Sequence, residues 1–266
     1  NGYYGDLYRI IFRANAIIDY VDNASDISES RKSQLLAEAK FLRALAHFWV
    51  LKVYAQPWGY TADNSHLGIV IRDKVSNEPQ ARSTVAQCYA FILTDLIQAH
   101  DVLPISNGVF ATKDAAAALL AYVYYMQNDY AKAIEIMLTQ TEHAQATDQL
   151  WQMIGNSLDL MEKSDEALEA YAKGLERFPN SGRLYLETGN VYLMQNKIDQ
   201  ALPYYEKGIE VDPEFPSNYY RLARIYFNSE NEIWGVLYGE IFLNLERNTQ
   251  RTREISYLLY QAYQKA

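Results

Sequence analysis

Few side chains in this sequence combine the residue type and the spacing that catalysis or metal binding requires. Four histidines occur, at His47, His66, His100 and His143. None of them has the i,i+4 or carboxylate-supported spacing of a zinc site. The segment TADNSHLG brings Asp63, Ser65 and His66 together, but catalytic triads are assembled in space on rigid elements, not from adjacent loop residues. Cys88 is the single cysteine and has no basic neighbour to activate it. We therefore predict no enzyme, no cofactor and no metal site.

The same stretch of sequence makes a better case for ligand binding. Trp58 and Tyr60 carry flat aromatic faces, while Asp63, Asn64 and His66 carry groups that form hydrogen bonds. Sugar recognition uses this combination of an apolar face and a few polar groups. The alternative is that Trp58 only anchors the loop on the core.

Composition excludes several classes of protein. The 266 residues are 49% hydrophobic, which is incompatible with disorder. They carry a net charge of −9, which is unfavourable for binding nucleic acid or an anionic lipid surface. The longest apolar run, Ala115 to Met126, is shorter than the roughly 20 residues that a membrane span needs. We expect a chain that is rich in packed helices and has no membrane span.

Hydrophobic periodicity predicts helices throughout the first half. An amphipathic helix covers YGDLYRIIFRANAIIDYVD, and a longer one is expected over about residues 29–53, with Asp26 as its N-cap. Thr84 and Gln87 form a capping box that would begin a third helix. His47 lies inside an apolar helical stretch, so we expect a packed, hydrogen-bonded core histidine.

The second half contains an internal repeat. Two segments align at a spacing of 34 residues: LWQMIGNSLDLMEKSDEALEAYAKGLERFP and LYLETGNVYLMQNKIDQALPYYEKGIEVDP. The matched pairs are Gly155 with Gly189, Ala167 with Ala201, Tyr171 with Tyr205, and Pro179 with Pro213. This pattern resembles the tetratricopeptide repeat (TPR), a helix–turn–helix unit in which small residues allow close helix packing. The same frame gives repeats that start near residues 114, 148, 182 and 216, followed by a final helix from Arg251 to Gln264.

The TPR resemblance implies a concave groove lined by the first helix of each repeat. Asn156 and Asn190 match the family's asparagine that binds a peptide backbone. The predicted groove residues are Tyr122, Asn156, Leu186, Asn190, Leu193, Met194, Tyr220, Arg224 and Phe227. We expect this groove to hold a protein segment. The alternative is that these residues pack against the last helix or a neighbouring copy.

Residues 1–140 resemble a different family. The blocks that carry the resemblance are AEAKFLRALAHFWVLKVYAQPWG, HLGIVI, PQARSTVAQCYAFILTDLIQAHDVLP and FATKDAAAALLAYVYYMQNDYAKA. They are similar to the SusD/RagB family of lipid-anchored, cell-surface glycan-binding proteins that cap a SusC-like, TonB-dependent outer-membrane transporter. The family's lipidated N-terminal cysteine and long second half are not found within these 266 residues, so we expect the chain to depart from the family in both features. The join to the repeats falls near Ala144–Asp148, and it could be natural, an artefact or an engineered chimera.

These observations predict an all-α, right-handed superhelix of antiparallel helix pairs, a TPR-like α–α superhelix. Residues 1–113 would form SusD-like helices with a long loop at 55–83, and residues 114–266 would form the TPR array. The leading function is a non-catalytic scaffold that holds a protein or peptide segment. The alternative is glycan binding beside an outer-membrane transporter, and an enzyme is a distant third. The SusD-like half favours the cell surface or outer membrane, and otherwise we expect the periplasm or cytoplasm.

Overall fold

The computed structural model describes residues 2–143 and 146–265, and within these ranges it contains α-helices but no strand. The all-α prediction is therefore confirmed. Chain contacts divide the protein into two compact units, Asn1–Gln140 and Thr141–Ala266. The first unit contains α1 Tyr3–Tyr20, α2 Glu29–Tyr54, α3 Val85–Val102, α4 Lys113–Met126 and α5 Tyr130–Gln140. The second contains α6 Asp148–Leu160, α7 Ser164–Arg177, α8 Gly182–Met194, α9 Ile198–Val211, α10 Pro216–Phe227, α11 Glu232–Leu245 and α12 Gln250–Lys265.

Helix boundaries in the first unit follow the local capping chemistry. Thr84 and Gln87 form the predicted capping box at the start of α3. The N-cap of α2 is Ser28 and not Asp26, because the Ser28 hydroxyl accepts a hydrogen bond from the backbone N–H of Arg31 at 3.2 Å. An N-cap side chain must reach the N–H three residues ahead, and only Ser28 has that spacing from the first turn of α2.

A buried ion pair joins the elements of the first unit. The Arg43 guanidinium donates to both carboxylate oxygens of Asp95, at 2.7 and 2.8 Å. It also donates to the side chain of Asn15 at 2.8 Å and to the carbonyl of Asp73 at 2.7 Å. This network connects α1, α2, α3 and the segment that precedes α3. Loss of one partner from such a pair leaves an uncompensated buried charge, which costs about 3–5 kcal/mol.

His47 is the packed core histidine that the sequence predicted. Its Nδ1 donates to the carbonyl of Arg43 at 2.9 Å, and its Nε2 accepts from the backbone N–H of Arg72 at 3.1 Å. Burial lowers the pKa of His47 to about 4. The ring is therefore neutral at neutral pH and holds the loop segment against α2.

The second unit is a stack of helix pairs with the predicted repeat chemistry. Gly189 lies under the ring of Tyr205, where an added Cβ would come within 2.6 Å of the ring. Gly155 lies in the same way under Tyr171, and both tyrosines are fully buried. The missing side chain lets the second helix of each pair approach the first closely. The helices α6, α8, α10 and α12 begin 34 residues apart, so α12 continues the same frame.

Tight turns between paired helices use a residue with left-handed backbone conformation. The residues are Asn128, Glu162 and Asn196, with φ values of 60°, 62° and 59°. They too recur every 34 residues. Asparagine tolerates this conformation well, whereas glutamate does not.

The helices α10 and α11 form a pair although the sequence of α11 departs from the repeat. Gly235 packs against Phe227, where an added Cβ would lie 2.8 Å from the Phe227 nitrogen, and Gly239 faces Ile255 of α12. Phe242 fills the core beside Tyr220. The final helix predicted from Arg251 to Gln264 corresponds to α12.

Candidate functional site

The long segment between α2 and α3 is tied to the start of α3 by backbone hydrogen bonds. The N–H of Val85 donates to His66 at 3.0 Å, and the N–H of Ala86 donates to Asn64 at 3.1 Å. Arg82 adds a side-chain bond from its Nε to the carbonyl of Gly68 at 2.6 Å. The N–H groups in the first turn of a helix have no acceptor within the helix. The loop carbonyls accept hydrogen bonds from these groups of α3, and the same bonds fix the position of the loop.

Two of the predicted sugar-binding residues are used to hold this loop together. Asn64 is buried at a φ of 55°, and its Oδ1 accepts from the N–H of Gly59 at 2.6 Å. Trp58 is half-buried and packs edge-on against Tyr89 of α3, with the ring centroids 5.1 Å apart. Trp58 thus makes the core contact that the anchoring alternative requires.

The other three predicted residues lie at the surface of the loop. Tyr60 is 63% exposed, and its ring meets the imidazole of His66 at 5.2 Å. The His66 Nδ1 accepts from the Thr61 hydroxyl at 2.9 Å, and its Nε2 donates to the carbonyl of Gln56 at 3.3 Å. Asp63 is exposed, and hydrogen bonds from Ser65 lower the pKa of its carboxyl. An aromatic face and a charged acceptor are therefore presented on a fixed turn.

A second group of aromatic residues in this unit was only partly evident from the sequence. Lys52 lies over the rings of Trp49 and Tyr122, at 5.1 and 4.7 Å, and donates to the Tyr122 hydroxyl. Tyr122 also packs against Phe48 at 5.6 Å. Tyr122, which was predicted as a groove residue, therefore makes these contacts within the first unit. The sequence signal for the contact between Lys52 and Trp49 was their spacing of three residues on one helix.

The asparagines of the predicted groove are bonded to the buried tyrosines of their own repeats. The Oδ1 of Asn156 accepts from the Tyr171 hydroxyl at 2.6 Å. The Oδ1 of Asn190 accepts from Tyr205 at 3.1 Å, and its Nδ2 donates to Glu187 at 2.9 Å. These bonds give both amides a fixed orientation.

The remaining groove residues differ in accessibility. Leu186 and Tyr220 are buried, Leu193 is half-buried and Met194 is 75% exposed. The hydroxyl of Tyr220 donates to Glu254 of α12 at 2.7 Å.

Helix α12 contacts two of the predicted groove residues, Tyr220 and Arg224. Arg224 pairs with Glu254 at 3.0 Å, and Phe227 packs inside the α10–α11 pair. Tyr220 and Arg224 are thus held by the last helix, which is the contact that the alternative interpretation named.

Three features of the described residues concern metal binding, thiol reactivity and membrane spanning. Within residues 2–143 and 146–265, no three His, Cys, Asp or Glu side chains are grouped as a metal site would require. Burial raises the pKa of the Cys88 thiol, which keeps it protonated. None of the helices in the same ranges is both long and apolar enough to cross a bilayer.

Comparison with known families assigns the two parts of the sequence separately. Residues 1–125 match a SusD-like family described as starch-binding and associating with the outer membrane. Residues 148–181 and 183–215 each match a tetratricopeptide repeat. Both predicted resemblances are thereby confirmed, and the chain carries a SusD-like segment followed by TPR repeats.

Individual relatives are similar over only part of their length. SusD-like protein P25 of Formosa agariphila is 28% identical over 165 residues, which are 60% of this chain and 29% of that protein. A SusD-like protein of Bacteroides ovatus is 29% identical over 133 residues, 49% of this chain and 23% of that protein. The chain thus spans less than a third of the length of these curated relatives.

Two solved structures are similar to parts of the chain. A putative sugar-binding protein from Bacteroides vulgatus is 32% identical, with a TM-score of 0.46, covering 50% of this chain and 31% of that chain. The structure of MamA is 16% identical with a TM-score of 0.47, covering 60% of this chain and 90% of that chain.

Proposed function

We propose that this chain, which joins a SusD-like segment to TPR repeats, is a non-catalytic glycan-binding protein, and that the loop between α2 and α3 contacts the glycan. The description of the family matched by residues 1–125 supports starch-like glucan as the first ligand to consider. The same description supports a location at the outer membrane. A SusC-like transporter is the partner that this proposal implies.

The observation that carries the proposal is the exposed ring of Tyr60 on a turn that is held in place by its contacts with α3. Trp58 and Asn64 hold the turn, so Tyr60 and Asp63 are positioned before any ligand arrives. A preorganised loop loses little conformational freedom on binding, which favours affinity. The ring can contact the apolar face of a sugar, and the Asp63 carboxylate can accept hydrogen bonds from its hydroxyl groups.

Calorimetric titration with a maltooligosaccharide and with a β-1,3-glucan oligosaccharide tests this proposal. Tyr60→Ala should weaken binding about tenfold or more without changing the melting temperature, because aromatic anchors carry much of the binding energy. Tyr20→Ala is the matched control, since Tyr20 is 58% exposed on α1 and away from the loop in sequence. Trp58→Ala should lower the melting temperature instead. Unchanged affinity in Tyr60→Ala, or no binding of either glycan by the parent, would contradict the proposal.

A second candidate function is the binding of a protein segment in the TPR groove. One observation favours it: the Nδ2 of Asn156 donates to no described residue, while its Oδ1 is fixed by Tyr171. That amide could bind the backbone of an extended segment, whereas the Nδ2 of Asn190 is already bonded to Glu187. Asn156→Ala should therefore weaken binding of a purified partner segment more than Asn190→Ala does. Equal effects of the two substitutions would argue against this groove.

A further inference from the structure

A stacked pair of tyrosines recurs in two successive repeats of the second unit. Tyr192 and Tyr204 stack with centroids 5.4 Å apart and planes inclined by 18°. Tyr226 and Tyr238 stack at 5.9 Å and 25°. The two pairs occupy equivalent positions, 34 residues apart, on helices that pack against each other.

The first pair borders a groove with an apolar lining. A cavity of about 290 Å³ lies beside Tyr192 and Tyr204, lined by Leu168 and Leu175 of α7. One repeat later, Leu202 and Ile209 of α9 occupy the equivalent positions and belong to the same apolar cluster as Tyr226 and Tyr238. Trp234, which is 49% exposed, stacks on Tyr238 at 6.1 Å and extends the second platform. We call this surface the aromatic edge, defined by Tyr192, Tyr204, Tyr226, Tyr238 and Trp234.

Carboxylates flank both platforms of the aromatic edge. Glu169 lines the cavity beside the first pair. Glu206 accepts from the Tyr226 hydroxyl at 3.5 Å and, after burial, is the main cause of the raised pKa of Tyr226. Residues 141–266 carry 19 Asp and Glu against 12 Lys and Arg. The aromatic edge therefore consists of half-buried stacked rings beside two carboxylates, in an acidic part of the chain.

We propose that the aromatic edge binds a proline-rich, basic peptide segment in the polyproline II conformation. Polyproline II is an extended helix with three residues per turn. Aromatic-lined grooves take proline rings readily because the segment is already ordered. Glu169 and Glu206 supply the complementary charge for lysine or arginine, which a neutral glycan would not use.

The edge differs from both candidate sites described above. It includes Tyr204, Tyr238 and Trp234 on the second helices of two repeats, and its first-helix members, Tyr192 and Tyr226, are not among the predicted groove residues. The glycan-binding loop belongs to the other compact unit. This inference therefore does not depend on the proposed function.

Fluorescence anisotropy with a labelled synthetic peptide tests the proposal on the full chain. The probe is a peptide of about twelve residues, four polyproline turns, with proline throughout and arginine near each end. We expect saturable binding that weakens about tenfold when glycine replaces proline, because the preformed conformation is lost. Glu206→Lys should weaken binding about tenfold and leave the helical circular dichroism unchanged.

Aromatic substitutions provide the second part of the test. Tyr204→Leu keeps an apolar side chain but removes the flat ring, so it should weaken peptide binding about tenfold. Tyr257→Leu, on an exposed face of α12, is the matched control and should have no effect. Equal affinity for the glycine peptide, or for a peptide with glutamate in place of arginine, would overturn the proposal. So would saturable binding of a maltooligosaccharide that Tyr204→Leu abolishes, because the edge would then be a sugar platform.

Discussion

At the scale of single residues, His47 should make the stability of the first unit depend on pH. Burial holds the pKa of the folded-state ring at about 4, below the ordinary value of 6.5. The unfolded chain therefore binds a proton that the folded chain excludes. The contribution of His47 is fully present above pH 6.5 and is lost as the pH falls towards 4, by about 3 kcal/mol in total. Urea unfolding followed over this pH range measures the effect.

A glutamine variant isolates this contribution from the other titrating groups. His47→Gln can still donate to the carbonyl of Arg43 and accept from Arg72, but it does not titrate. The difference in unfolding free energy between parent and variant should change between pH 6.5 and 4 and stay constant above that range. A constant difference over the whole range would mean that the pKa of His47 is the same in the folded and unfolded states.

Glu162 occupies a turn position at which two equivalent residues are asparagine. Its φ of 62° is unfavourable for glutamate, and its carboxylate lies at the negative end of α6. Glu162→Asn should therefore stabilise the second unit by about 0.5–1 kcal/mol, measured as a rise in melting temperature. Glu176→Asn, on an exposed face of α7, should leave it nearly unchanged, because the poorer helix propensity of asparagine offsets the removal of a carboxylate from the negative end of α7. A lower melting temperature for Glu162→Asn would contradict this account of the turn.

The loop shows which residue roles the sequence could not separate. Trp58, Tyr60 and Asn64 all have side chains suited to sugar recognition. The structure uses Asn64 inside a turn and Trp58 against the core, and leaves Tyr60 exposed. Residue type gives the chemistry that a side chain can perform, whereas burial depends on contacts with α3 that lie far away in sequence.

At the scale of elements, the close contact between paired helices can be tested at Ala201. This residue is fully buried in α9, within the cluster that holds Tyr205 and Leu222. Ala201→Asp should destabilise the second unit by about 4 kcal/mol, because it places an unpaired charge in a packed interface. Gln200→Asp changes the exposed neighbouring residue and should cost less than about 0.5 kcal/mol. Thermal melts of both variants measure the difference, and equal melting temperatures would mean that the assigned frame is wrong.

The repeat was readable from sequence because its signals are local and periodic. Small residues, tyrosines and prolines recur every 34 residues, and each pair of helices forms where these signals fall. The loop at 55–83 was identified only as a long connection. Its path depends on Arg43 and Asp95, two residues 52 positions apart whose pairing has no local signal. The cap of α2 was misassigned because Asp26 and Ser28 are both good cap residues.

At the scale of the whole molecule, a destabilising substitution in one compact unit should increase amide hydrogen exchange in that unit and not in the other. Their buried clusters contain different residues, with Ile92 and Leu96 in one and Tyr205 and Phe242 among those of the other. Arg43→Leu leaves the Asp95 carboxylate buried without its partner, so amides of α1 to α3 should exchange hydrogen faster. Amides of α8 to α11 should keep their protection. Mass spectrometry of peptic fragments measures both sets at once.

The same experiment tests where the units divide. The sequence suggested a boundary after residue 113, which stays a prediction, whereas chain contacts group α4 with α3. If Arg43→Leu increases exchange in α4 and α5, these helices belong energetically to the first unit. If they respond instead to Ala201→Asp, the boundary after residue 113 holds.

The 34-residue spacing of α6, α8, α10 and α12 also has a consequence for duplications within the gene. Each repeat meets its neighbours through equivalent faces, so an added copy of residues 182–215 would find suitable contacts on both sides. In-frame duplication of those codons should therefore yield a longer, folded protein, whereas a duplication of arbitrary length would not. Gene rearrangement could lengthen or shorten this part of the chain in whole repeats.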